Sequence, residues 1–163
     1  MRRLLPFLIM MGPVLPAVLV AQNKGDAEKR TQCVAVYAIR ATRTKDRKLH
    51  VDETLKDLKR YLRRTGYNSF SLISRQTTEA KAGSKLEMNL PDDLVVTVKV
   101  EKVAKGLVRI HMRLVRIRRP QKPGQRPKET VIIDTKYALK SKPLVVVGVK
   151  LKEGTLVLAF RLE

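Results

Sequence analysis

Eight cations, Arg109, Arg113, Arg116, Arg118, Arg119, Lys122, Arg126 and Lys128, fall within the stretch VRIHMRLVRIRRPQKPGQRPK, which contains no acid. Cations at this density can hold a polyanion through salt-sensitive contacts to phosphate or carboxylate groups. The same side chains also occur as plain solvated groups, and on an exposed strand they discourage edge-to-edge aggregation. Both readings stay open at the level of sequence.

Little else in the chain is equipped for chemistry. A zinc site needs about four clustered ligands, and the only histidines are His50 and His111, far apart and without a neighbouring Cys. No metal site is expected. The one cysteine, Cys33, opens the apolar run CVAVYAI, so a buried, inert thiol is expected; an intermolecular disulfide or a thiolate paired with His50 are the sharper alternatives. A single cysteine cannot form an intramolecular disulfide, so the core must hold the fold. Asp92 and Asp93 follow Pro91 and read either as a paired carboxylate or as a turn whose side chains bond nearby amides. There is no GxSxG elbow, phosphate loop or dinucleotide fingerprint, so no catalytic residue and no cofactor is expected. The chain has no Trp and 4% aromatics. It lacks helix-turn-helix, zinc-finger and RNP-type patterns, so sequence-specific nucleic-acid recognition is not expected.

The elements that must position these residues can be read from periodicity. Val108, Ile110, Met112 and Leu114 alternate, which gives a strand one buried face and turns Arg109, His111 and Arg113 outward. The alternation slips at Leu114–Val115, as one extra residue in a bulge would cause, and this would re-aim Arg116, Arg118 and Arg119 onto the exposed side. Pro120, Pro123, Gly124 and Pro127 then break regular structure, so residues 119–129 read as a mobile basic loop. Residues 33–41 read as a strand covered on both faces, because its apolar residues are consecutive. Leu55, Leu58 and Leu62 form a helical stripe, with Asp52 as N-cap and Gly66 as left-handed stop. After Gly66 the pattern has period two with recurrent turns, and Gly148 within VVVGVK suggests a bulge or a close backbone approach. The expected fold is α+β, with one helix packed on an antiparallel β meander of about six strands and a sandwich as the alternative.

The start of the chain sets the expected compartment. Arg2 and Arg3 precede a nearly unbroken apolar run to Ala21, the layout of a signal peptide over residues 1–21, with an uncleaved anchor as the competing reading. Residues 22–32 read as a flexible leader, and residues 33–163 as a single domain. The net charge of +20 favours solubility and anionic partners without bearing on the fold.

Residues 130–163, TVIIDTKYALKSKPLVVVGVKLKEGTLVLAFRLE, resemble the strand-turn-strand pattern of bacterial secretin core domains. The layout of the whole chain is similar to that of small uncharacterised exported bacterial proteins. Where secretins carry paired glycines, this chain has Lys140-Ser141-Lys142-Pro143 and a lone Gly148. The resemblance implies a cell-envelope or secretion-apparatus setting and no known catalysis. The expected function is that of an exported (periplasmic, extracellular or cell-surface), non-enzymatic protein-interaction or structural domain with an envelope protein partner. The alternative is a basic polyanion-binding protein, with anionic lipid of a membrane surface, polysaccharide or nucleic acid as the polymer.

Overall fold

Consecutive apolar residues need cover on both sides, and the runs at residues 34–39 and 156–160 receive it. A computed structural model describes residues 32–46, 48–118 and 127–163, all within one compact unit, Thr31–Glu163. The signal-peptide reading, and the leader up to residue 31, lie outside the described residues. In chain order the elements are β1 (Cys33–Thr42), β2 (His50–Val51), a helical segment over residues 53–65, β3 (Ser69–Glu79), β4 (Lys85–Leu90), β5 (Leu94–Ala104), β6 (Leu107–Arg118), β7 (Lys128–Leu139), β8 (Leu144–Lys150) and β9 (Thr155–Leu162). They form a five-stranded sheet, β2-β3-β1-β9-β8, and a four-stranded sheet, β4-β5-β6-β7.

The main core lies between the sheets. Val34, Val36 and Ala38 of β1 and Leu156, Leu158 and Phe160 of β9 meet Leu94, Val96, Val98 and Val100 of β5 and Val108, Ile110, Met112 and Leu114 of β6. A second core fills the other face of the larger sheet, where Ala35, Tyr37, Ile39 and Ala41 of β1 and Val157 and Ala159 of β9 meet Leu55, Leu58 and Leu62. Strands β1 and β9 are thus buried on both faces and pair with each other antiparallel.

The expected α+β meander is overturned: 64% of the described residues are strand and only 11% helical, in two sheets rather than one. Only β4 to β7 run as a meander. Strand β9 returns to lie beside β1, and β7 and β8, consecutive in sequence, belong to different sheets. The helix is also less than expected, a 3-10 turn over Glu53–Leu58, one α turn over Lys59–Leu62 (α1) and a second 3-10 turn over Arg63–Thr65. The leucine spacing accommodates both kinds of turn. Residues three apart eclipse in a 3-10 helix, whereas residues four apart align in an α-helix. Leu55 and Leu58 fit the first geometry, and Leu58 and Leu62 the second.

Both ends of the segment follow the sequence reading. Gly66 takes the left-handed stop at φ 81. The Asp52 carboxylate accepts from Thr54 N–H at 3.0 Å and from the Thr54 hydroxyl at 2.7 Å. These bonds, the hydroxyl's first, hold the Asp52 carboxyl below the usual carboxylate range. A depressed folded pKa adds stability above the unfolded value of about 4, and that stability is lost as pH falls through the folded value. The thermal midpoint is therefore expected to drop from about pH 4 downward. Asp52→Asn should lower the midpoint at neutral pH and flatten that drop, while the acid-induced self-repulsion of so basic a chain acts on both proteins alike.

Candidate functional site

The basic stretch divides into two groups, and strand register decides the division. Strand β6 pairs regularly with β5 through Val96↔Leu114, Val95↔Val115 and Leu94↔Arg116. Against β7, Leu114 faces Ile133 and Val115 faces Val131. The extra residue of the bulge is therefore Ile132 on β7, and β6 keeps its alternation. Arg109, His111 and Arg113 occupy the outer face of the smaller sheet. Arg116 stands opposite core residue Leu94 and so shares the inner side with Arg118, at the open rim between the sheets. This corrects the reading in which the bulge turned Arg116 and Arg118 outward. The same bulge leaves Val131 46% exposed.

On the outer face Arg113, Lys136 and His111 have acidic partners. Arg113 pairs with Glu129 at 3.4 Å and Asp134 at 3.9 Å, Lys136 pairs with Glu101 at 2.7 Å, and His111 bonds the same Asp134 through Nε2. The His111 hydrogen bond, aided by the charges of His111, Arg113 and Lys136, holds the Asp134 carboxyl low. Lys136 does the same to Glu101. Arg109 lines a shallow hollow with Glu101 and Lys136.

At the rim the cations are not neutralised. Arg116 and Arg118 line a groove of about 450 Å³ with Lys150, Leu151, Lys152, Asp92 and Asp93. Among the described residues none of these four cations has an ion-pair partner. Asp92 and Asp93 both sit at positive φ, 60 and 57, a region Asp tolerates better than most residues. Rather than bonding an amide of its own turn, Asp92 accepts from Lys152 N–H at 2.7 Å, while the Asp93 carbonyl accepts from Ile117 N–H at 2.8 Å. The turn after β4 is thereby tied to β6 and to the β8–β9 turn. Of the remaining candidates, Lys128 begins β7 opposite Arg118, and Arg119, Lys122 and Arg126 lie outside the described residues.

Two surfaces escaped the sequence reading. Lys56, Lys59, Arg60, Arg63 and Arg64 are exposed on the helical segment, turned away from the leucines; among the described residues only Lys56 is paired, with Glu53. Their spacing of three and four residues was the signal. The second is β8, an edge strand bonded only to β9, with no charge from Leu144 to Val149 and with Val147 47% exposed. Its pairing shifts register after Val147. A Cβ on Gly148 would lie 3.0 Å from the Leu156 carbonyl oxygen, which is the close approach its position suggested.

The other chemical candidates lie apart from these surfaces. Cys33 is half-buried, less so than expected, at the start of β1, and its backbone exchanges hydrogen bonds of 2.8 and 2.9 Å with Glu163. His50 is paired with Asp46 at 2.6 Å on the surface. Among the described residues no three His, Cys, Asp or Glu side chains gather as a metal site would require, and no helix is long and apolar enough to cross a membrane. Compared with family models, curated proteins and solved structures, the chain finds no match, and residues 130–163 find none among secretins.

Proposed function

We propose that the chain is an exported, non-enzymatic domain of the bacterial cell envelope that holds a partner protein by strand addition along β8. The observation that carries this reading is the open, charge-free edge from Leu144 to Val149. An unpaired row of backbone N–H and C=O groups is a template for another strand unless charge, proline or a bulge blunts it. Strand β7, the corresponding edge of the other sheet, is blunted by Lys128, Glu129, Asp134 and Lys136. On β8 only the bulge at Gly148 intervenes, near one end. Lys142 on one side and Lys150 and Lys152 on the other favour a partner strand with an apolar centre and acidic flanks. The basic-then-apolar pattern of residues 1–21 supports export.

A photo-reactive residue at position 147 of the full chain, expressed in the native host, should give one discrete cross-linked envelope protein. The same residue at position 99, on the outer face of the smaller sheet, should not. Equal labelling from both positions, or no discrete product from 147, would reject the reading.

A further inference from the structure

We propose that the groove at the open rim of the two sheets, formed by Arg116, Arg118, Lys150 and Lys152, binds a phosphoryl group. Three features carry this, and none of them requires strand addition along β8. First, the groove is concave and gathers cations from two separate parts of the chain, the end of β6 and the end of β8 with the turn that follows it. Second, its walls are tied at the backbone, since the Asp92 carboxylate accepts from Lys152 N–H and the Asp93 carbonyl accepts from Ile117 N–H. Third, none of its four cations has an ion-pair partner among the described residues, whereas Arg113, three residues before Arg116 on the same strand, is paired with two acids. Asp92 and Asp93 leave the groove with four cations against two carboxylates, and the Asp92 carboxylate already accepts an amide proton. Two arginine forks beside two ammonium groups suit an oxyanion that carries more than one charge and several acceptor oxygens. A phosphoryl group meets that description better than a single carboxylate. It could come from a free phosphate compound or from a lipid headgroup.

The test titrates the full chain with inorganic pyrophosphate by calorimetry at about 50 mM salt, where phosphate contacts are strong. A second arm measures sedimentation with phosphatidylglycerol vesicles against phosphatidylcholine vesicles. The double variant Arg116→Gln, Arg118→Gln should weaken binding about tenfold or more, the loss expected when charge-assisted hydrogen bonds are removed. Arg109→Gln, Arg113→Gln removes the same charge from the outer face of the smaller sheet and should leave affinity nearly unchanged. Lys150→Gln, Lys152→Gln repeats the test should the first variant fold poorly. Binding of vesicles that pyrophosphate displaces identifies a headgroup as the source; binding of pyrophosphate without vesicle binding identifies a free phosphate. Equal losses in the rim and face variants, or no binding of pyrophosphate or vesicles by the unaltered chain, would overturn the proposal.

Discussion

Phe160→Ala is expected to lower the stability of the fold by about 4 kcal/mol, the cost of deleting a large core ring and leaving its cavity. Phe160 is fully buried. On β9 it stands between Val36 of β1 and Leu144 of β8, and it reaches across the interface to Tyr137 of β7, with ring centroids 6.4 Å apart. A domain stable by roughly 5–15 kcal/mol would lose a large part of its margin, so the urea midpoint should shift sharply at an unchanged slope. The partner ring makes the prediction specific. A double-mutant cycle with Tyr137→Leu should return a coupling of about 1 kcal/mol, because stacked rings in contact are worth that much beyond burial. Phe160 and Tyr137 belong to different sheets, so a coupling of zero would mean that the sheets are not layered face to face.

The placement of most strands was legible because their alternation is local. Leu94, Val96, Val98 and Val100 face the core as their spacing requires, and the turns at Pro91-Asp92-Asp93 and Lys152-Glu153-Gly154 fall where the alternating runs break. Strand order was not legible, since which runs pair is a long-range property. One clue was nonetheless present twice. CVAVYAI and LVLAF both place apolar residues at consecutive positions, which only a strand with layers on both sides can bury. Reading everything after Gly66 as period two passed over Val157 and Ala159, the residues that meet the helical segment. Treated alike, the two runs point to neighbouring central strands of one sheet. The caps of the helical segment were legible for the same local reason as the turns, whereas its mixed 3-10 and α character was hidden because one leucine spacing serves both.

The cationic surface was half legible. The stretch contains no acid, yet Arg113 is neutralised by Glu129 and Asp134, which only the pairing of β6 with β7 brings alongside. The slip at Leu114–Val115 was a real irregularity, but one strand's sequence cannot tell which partner carries the extra residue. Placing it on β7 at Ile132 reverses the side on which Arg116 and Arg118 fall. That single register step separates Arg113, paired with two acids, from Arg116 and Arg118, which have no ion-pair partner among the described residues.

Gly154→Ala is expected to cost about 3 kcal/mol, more than its exposed turn would suggest. Gly154 sits at φ 91, and a Cβ there would lie 2.6 Å from the Ala41 carbonyl oxygen and 2.7 Å from Thr42 Cγ2. The first of these is backbone of the central strand β1, so no rotamer change relieves it. Gly83 provides the control, with the same φ of 91 but nothing within 4 Å of its Cβ position. Gly83→Ala should therefore cost only the left-handed penalty of about 1 kcal/mol. The difference between the two, read from urea denaturation, measures how tightly the β8–β9 turn is pressed onto β1. That turn also carries Lys152, whose amide is anchored by Asp92, so Gly154→Ala should loosen the rim groove as well. Equal losses at the two glycines would place the turn away from β1 and remove one wall of the groove.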